Sequence, residues 1–352
     1  MLVTAAFLLD SSLAVASPWP GGSETSIPIT GATADLSGAT WNPVSQSLWV
    51  VRQNRQLWEY GYDLGTGSFV LLRTLVLPGG IGIGGDIEAC AQVDHSAADE
   101  IYLLSETQGR IARVTNIGGT PTVHAVWNLE VTNNGYALPP ETPGGIGAEG
   151  LEFVPDAQLL TAGFRFPDGS AFTGSTKGMG GLMFVGHQLE GRLHVFDLNP
   201  ETSDDFINHG SFLTAADEIA GLHFDRTTGR MFVWHNSSIG NSLEISILSS
   251  NASVGRIDTI NLFDSAMPSG NLEGIAVVDQ AACGEFGASD SDRLLFMTRD
   301  AESPNLVYFA GFPCYGIGAN VPALSPWGRL GVLLLLLCVA GLHRRRASVD
   351  PS

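Results

Sequence analysis

The feature that most constrains this chain is a nine-residue pattern that returns five times. It reads DLSGATWNP from Asp35, DIEACAQVD from Asp86, GAEGLEFVP from Gly147, EIAGLHFDR from Glu218 and NLEGIAVVD from Asn271, so the copies start 51, 61, 71 and 53 residues apart. Each copy opens on a polar or small residue, carries Gly or Ala at its fourth position, runs apolar and ends in turn residues. A second apolar run answers each one: SLWVVRQ from Ser47, EIYLLSE from Glu100, GLMFVGH from Gly181, RMFVWHN from Arg230 and RLLFMTR from Arg293. Five copies of one hairpin at this period mean a repeat architecture.

Each hairpin is followed by a third run (QLWEYGYD, GRIARVTN, RLHVFDLN, LEISILSS, NLVYFAGF) and in most cases a fourth, such as LLRTLVLP, VHAVWNLE and RIDTINLF. Four short antiparallel strands per repeat, set radially, make a β-propeller blade. The fold class is therefore all-β, a propeller of five blades by repeat count, with a sixth open if an insertion folds. Forty-three glycines, 44% hydrophobic and only 15% charged residues suit a turn-rich all-β domain with a sizeable core. A short strand around Ile27–Thr30 is placed to pair with the last blade, closing the ring and hiding its edges. Ser17–Ser26 reads as a Pro/Gly/Ser-rich linker, and Asn133–Gly147 and Leu160–Gly180 read as Gly/Pro/Thr-rich insertion loops beside the third blade.

Residues 1–16 read as a signal peptide, with the apolar run LVTAAFLL and Ala14-Val15-Ala16 ahead of Ser17, although no basic residue precedes the run and Asp10 interrupts it. At the other end VPALSPWG (Val321–Gly328) leads into LGVLLLLLCVAGL and then His343-Arg344-Arg345-Arg346. Counted from Val321 the segment reaches the ~20 residues of a transmembrane helix. The Arg cluster would stay cytoplasmic and the main domain would lie on the other side of the membrane. Pro322, Leu324, Trp327 and Gly328 in this order and spacing resemble the IPTL-CTERM protein-sorting domain, with Val321 and Ala323 in place of the family's Ile and Thr. That resemblance implies an exported protein of a Gram-negative bacterium, held on the periplasmic side of the inner membrane. A sorting enzyme of exosortase type would then process the tail and leave the protein at the outer surface or secreted. The expected organisation is a signal peptide over 1–16, linker over 17–26, propeller over 27–316, sorting and transmembrane segment over 320–346 and tail over 347–352.

Residues 17–320 keep 13 of the 17 basic and 34 of the 36 acidic residues, a balance of −21, and Lys177 is the only lysine. This argues against nucleic acid as a partner, which needs a basic footprint, and suits cations. Cys283 and Cys314 flank the last hairpin and could form a disulfide in an oxidising compartment; Cys90 and Cys338 read as unpaired.

The first-strand motifs with their answering hairpins, over roughly residues 30–310, resemble the SdiA-regulated family of bacterial β-propellers. The resemblance implies an exported propeller that binds calcium.

Aligned, the copies give two polar columns. The first holds Asp35, Asp86, Gly147, Glu218 and Asn271; the third holds Ser37, Glu88, Glu149, Ala220 and Glu273, on the same side of the strand because side chains alternate. Counting outward from each turn places Ser37 opposite Arg52, Glu88 opposite Glu106, and Ala220 opposite His235. By analogy Glu149 faces His187 and Glu273 faces Arg299. All five pairs fall at one mouth of the central channel. Four readings follow. The ring is structural, with Glu273–Arg299 and Glu149–His187 ion pairs; or it is a Ca²⁺ site built on Glu88, Glu149, Glu273, Glu106, Asp35 and Asp86, since like-charged carboxylates opposite one another call for a hard cation. It could instead be catalytic, with His187 and His235 as acid and base and Arg52 and Arg299 holding an anion. Or it is a binding platform for a peptide or glycan using the insertion loops with Trp127, Tyr136 and Phe166.

Gly80–Gly85 (GIGIGG) matches a dinucleotide pattern but leads into a strand rather than a helix, so the context fails. Asp290-Ser-Asp292 lacks the rest of an EF-hand loop, and no P-loop, HExxH or GxSxG is present. The sequence thus points to an exported, membrane-held acidic propeller acting as a calcium-binding, non-catalytic module for an unidentified ligand, with a metal-dependent lactone or phosphoester hydrolase as the alternative.

Overall fold

A computed structural model describes residues 17–314, apart from 21–23, 34, 78–81, 83, 98, 238–239, 250–253, 268–271 and 301–302. The segments expected to be a signal peptide and a sorting and transmembrane segment, with Cys338 and Asn271, lie outside the described residues. Among the described residues no helix is long and apolar enough to cross a membrane.

After a two-residue strand β1 (Ile27–Pro28), the chain forms five four-stranded antiparallel sheets. Blade one holds β2 (Leu36–Asn42), β3 (Ser47–Arg52), β4 (Gln56–Asp63) and β5 (Ser68–Val76). Blade two holds β6 (Ile87–Ala91), β7 (Glu100–Ser105), β8 (Arg110–Thr115) and β9 (Thr122–Asn128). Blade three holds β10 (Ala148–Pro155), β11 (Gly181–His187), β12 (Arg192–Leu198) and β13 (Phe206–Leu213). Blade four holds β14 (Ile219–Asp225), β15 (Arg230–Ser237), β16 (Gly240–Ile247) and β17 (Asp258–Asp264). Blade five holds β18 (Leu272–Val277), β19 (Asp292–Arg299) and β20 (Leu306–Pro313), and takes β1 as its outer strand, with Ile27 opposite Tyr308 and Pro28 opposite Val307. The inner strands touch in the closed order β2, β6, β10, β14, β18 and back to β2. The five-bladed propeller and its N-terminal closure are as expected from the repeats.

Both faces of every blade are covered by a neighbour, so the inner strands read as continuous apolar runs rather than alternating ones. The core is accordingly divided: one apolar cluster fills each of the five gaps between neighbouring blades. Trp127, expected as an exposed binding aromatic, is fully buried in the cluster between blades two and three and stacks on Tyr102. Phe166 is half-buried and stacks on His209, so only Tyr136 of the three is exposed. Each buried ring or aliphatic side chain contributes about 1.5–3 kcal/mol.

The fourth-position glycine marks where inner strands converge. A Cβ on Gly38 would stand 2.5 Å from the Ala89 Cα, and one on Gly274 would stand 2.6 Å from the Ser37 carbonyl oxygen, so only glycine lets the neighbouring backbones approach. With Ala89, Gly150 and Gly221 these residues close the axis, leaving no room there for a water molecule.

Two expectations need correction. Residues 17–26 are not a free linker throughout: Ser17 bonds Leu262 and Asp264 of blade four through its backbone, and Trp19 is buried against Trp234, Phe309 and Phe312. Among the described residues the insertions build no sixth blade, but the second one is entered through a helix, α1 (Asp156–Ala162), between β10 and β11. Its Ala and Leu residues favour helix, and Gly163 ends it in the left-handed conformation, φ 65°. Finally, Cys283 and Cys314 form a disulfide with their Cα atoms 6.0 Å apart, and Cys90 is a buried free thiol.

Candidate functional site

The site begins with an irregularity shared by all five blades. Near the start of each inner strand the pairing with the second strand shifts: between Leu36 and Ala39, Ile87 and Ala89, Ala148 and Gly150, Ile219 and Gly221, and Leu272 and Ile275. The extra residue is the third-column Glu88, Glu149 or Ala220 in blades two, three and four, and in blades one and five the third and fourth positions, Ser37–Gly38 and Glu273–Gly274, together face one residue of the second strand. A β-bulge re-aims the side chain of its extra residue, and here the three glutamates are turned into a cavity on the propeller axis.

The bulge also moves the second strand by one step. Arg52 pairs with Leu36, His187 with Ala148, His235 with Ile219 and Arg299 with Leu272, not with the third column. The residue one step beyond each of these partners therefore reaches the cavity: Gln53, Glu106, Gln188, Asn236 and Asp300 all line it. Backbone clamps hold four of these five. Gln53, Glu106, Gln188 and Asn236 donate their N–H groups to the carbonyls of Asp35, Asp86, Gly147 and Glu218, at 3.1, 3.3, 2.9 and 2.9 Å. The first column thus serves largely through its main chain. Asp35 and Glu218 hold the positive φ angles of 66° and 54° that this path requires, a conformation uncommon outside glycine.

The cavity, about 430 Å³, is lined by six acidic side chains, Glu88, Glu106, Glu149, Glu218, Glu273 and Asp300, together with Gln53, Gln188 and Asn236. Among the described residues no Lys, Arg or His lines it. Gly144, Gly145 and Ile146, from the first insertion, form part of its wall. Glu88 joins two groups of three carboxylates. Its oxygen lies within 4.8 Å of oxygens of Asp86 and Glu106, and the same holds for Glu149 and Glu273. Glu88, Glu106, Glu149 and Glu273 are each at most 7% exposed. Among the described residues no hydroxyl, amide or basic donor reaches Glu106 Oε1 or Glu149 Oε2, and the two carboxyls lie within hydrogen-bond reach of each other.

Burial and mutual repulsion shape their acidity. Burial, with the charge of Glu273, pushes the Glu88 carboxyl well above the usual carboxylate range. Burial, with Glu88 and Glu273, does the same to Glu149. Glu106 is pushed up to about 7 by burial and by Glu141 and Asp86, and Glu273 to about 7 by burial and Asp300. These are buried carboxylates with no cation of the protein's own beside them.

The other expected residues are engaged elsewhere. Arg52 is ion-paired with Asp35 at 3.2 Å, bonds Gln56 and sits over the Trp58 ring, which takes Asp35 out of the acidic cluster. His187 accepts the Leu189 N–H at Nδ1 and meets the Pro139 carbonyl with Nε2, so it is neutral, and burial lowers its pKa further. His235 is wholly buried, facing the Asp217 carbonyl at 3.1 Å and Glu244 Oε2 at 3.0 Å. Arg299 makes no ion pair with Glu273 among the described residues; its backbone N–H bonds the Asn305 carbonyl. Neither expected ion pair, Glu149–His187 nor Glu273–Arg299, forms, and the two histidines and two arginines of the catalytic reading do not line the cavity.

The opposite end of the same axis, where first and second strands turn, is also charged but has arginines of its own, although burial and Asp225 push the Asp279 carboxyl there up to about 6. Arg293 pairs with Asp225 at 2.6 Å, both at most 1% exposed. Arg226 crosses from blade four to blade two, donating to the Gln92 and Val93 carbonyls at 2.6 and 2.9 Å.

No protein-family model matches this chain, and no curated protein is similar to it. Solved structures similar to it include Raptor of Chaetomium thermophilum (12% identity over 78% of this chain and 20% of that one, TM-score 0.38). Others are a Dos1 propeller (13% over 75% and 52%, TM-score 0.37) and a nidogen/laminin complex (10% over 76% and 76%, TM-score 0.38). The chain spans a fifth of the Raptor chain and about half of the Dos1 chain. Likenesses at this level say nothing about what the chain does. Strand order and the cavity together define a five-bladed β-propeller with an acidic cup on its axis.

Proposed function

We propose that this protein is a non-catalytic binding module whose acidic cup takes a hard divalent cation, Ca²⁺ by its oxygen-only donor set, and presents it to a ligand or partner. One observation carries the reading: six carboxyl groups converge on one cavity with no cationic side chain among its described lining, two of them bearing buried oxygens that no hydroxyl, amide or basic donor reaches. Buried carboxylates that repel one another either hold protons or surround a cation. Carboxylate and carboxamide oxygens without His or Cys select Ca²⁺ over Zn²⁺. The cup is roomy enough for an ion and part of a ligand, and the Gly144–Ile146 wall would touch that ligand.

Supporting an oxidising, exported setting is the Cys283–Cys314 disulfide. Membrane retention by the 320–346 segment, its processing by an exosortase-type enzyme, and kinship with SdiA-regulated propellers belong to the same proposal and rest on the sequence resemblances alone. A metal-dependent lactone or phosphoester hydrolase would have to draw its base from the metal or a carboxylate, since neither His187 nor His235 lines the cup.

Calcium titration calorimetry with the thermal shift of the protein, beside Glu88→Gln, tests the reading. Saturable binding that raises the melting temperature and is weakened by the substitution is expected. Absence of both binding and shift would remove the cation from the proposal. Turnover of lactone or phosphoester substrates dependent on Ca²⁺ would replace the module by the enzyme.

A further inference from the structure

We propose that the cup holds not one but two divalent cations, bridged by the Glu88 carboxylate; this rests on the cation reading above. The geometry points there because the carboxylates near Glu88 fall into two groups. Asp86 and Glu106 converge on it from blade two, and Glu149 and Glu273 converge on it from blades three and five, each group with its oxygens within 4.8 Å of one another. Calcium binds oxygen at about 2.3–2.6 Å, so oxygens on opposite sides of one ion stand up to about 5 Å apart. Each triad therefore meets the spacing of a single ion's ligands, and the two share one residue.

Each triad also carries a buried carboxyl oxygen that no hydroxyl, amide or basic group among the described residues reaches, although the Glu106 and Glu149 carboxyls lie within hydrogen-bond reach of each other. These oxygens are Glu106 Oε1 in the first and Glu149 Oε2 in the second. The residues are 7% and 4% exposed, and both line the cup. Charge argues the same way, because the four buried glutamates Glu88, Glu106, Glu149 and Glu273, fully ionised, exceed what one dication offsets. A carboxylate has two oxygens, one for each ion, and Glu88 is the only residue common to both groups. Asp86 is the outermost member; one of its oxygens already accepts the Thr107 hydroxyl at 2.7 Å, which orients it without using the other.

Equilibrium dialysis of the full chain against ⁴⁵Ca²⁺ reads the stoichiometry directly. Two equivalents are expected for the unaltered protein. Glu273→Gln should leave one, Glu106→Gln should leave one, and Glu88→Gln should weaken both by about tenfold or more, as loss of a charged ligand does. Asp86→Asn, at a half-exposed position, gives a milder probe of the Glu106 triad. Far-UV circular dichroism of each variant shows that lost binding is not lost folding, and a retained equivalent shows it again. A single equivalent in the unaltered protein, or Glu106→Gln and Glu273→Gln both abolishing all binding, would overturn the bridged pair while leaving the cation reading intact. No binding at all would overturn that reading itself.

Discussion

The two ends of the propeller axis solve the same electrostatic problem in opposite ways. At the turn end, the buried Asp225 carboxylate is held by Arg293, and Arg226 ties the turns of blades four and two through backbone carbonyls. Burial pushes the Asp225 carboxyl up, but the Arg293 charge and hydrogen bond outweigh it and leave its pKa below the usual value. At the cup end, Glu88, Glu106, Glu149 and Glu273 are buried to a similar degree with no basic side chain lining their cavity, and their pKa values rise instead. Burial alone does not mark a functional site. Uncompensated burial does, because stability argues against it and only an external partner relieves it.

That contrast can be broken from either side. The largest effect is expected at the turn end: Arg293→Ala leaves Asp225 buried without its counter-ion and should cost about 3–5 kcal/mol in denaturant unfolding, whether or not Ca²⁺ is present. Between the two ends, Gly274→Ala places a Cβ against the Ser37 and Gly38 backbone. It should cost about 1–3 kcal/mol, again independent of calcium, and an unchanged melting temperature would refute the close packing of inner strands. At the cup the sign reverses. Glu149→Gln in chelator replaces a buried acid whose ionisation the site opposes by a neutral amide and should stabilise the protein by about 1 kcal/mol, while weakening calcium binding. Equal destabilisation at both ends would show that the cup is as self-sufficient as the arginine end.

The shallowest and most diagnostic difference is with pH. Glu106 and Glu273 have folded pKa values of about 7 against 4.5, so between those values the native state binds more protons than the unfolded chain. Stability of the calcium-free protein should therefore fall as pH rises through that window. Asp225, whose folded pKa is depressed, contributes stability that is present above its unfolded pKa and lost as acid takes the pH down through the folded one. Melting temperatures measured from pH 4.5 to 8 in chelator should decline, and saturating Ca²⁺ should reverse the slope near neutrality. Glu152, outside the cup lining, is also raised to about 7 by burial and adds to the decline, so the cup's share is the part that Glu106→Gln removes. A profile unchanged by that substitution would mean that the cup carboxylates find internal partners.

Much of this architecture was legible in the repeats. Five first-strand motifs named five inner strands, the answering runs named their neighbours, and Ile27–Thr30 foretold the closing strand, because side-chain periodicity and repeat spacing are local properties of the chain. The acidic column Glu88, Glu149 and Glu273 was legible too, as was Glu106, whose carboxylate does meet theirs. What failed was the step across the hairpin. Counting back from the turn assumes an unbroken ladder, and a bulge at the third column of every blade adds one residue to the first strand. The count then selects Arg52, His187, His235 and Arg299, one position before the residues that reach the cup. Gln53, Gln188, Asn236 and Asp300 stood next to them in the sequence with nothing to distinguish them, except that Glu106 already occupied the correct step in blade two.

What the sequence determined by itself was the kind and number of units, their closure and the excess of acid, all set by patterns within about ten residues. Which charges face one another was decided only in the folded ring. Bulge geometry, the glycine-closed axis and the reach of Arg226 from blade four to blade two depend on backbones meeting from different blades, and no stretch of chain encodes that encounter alone.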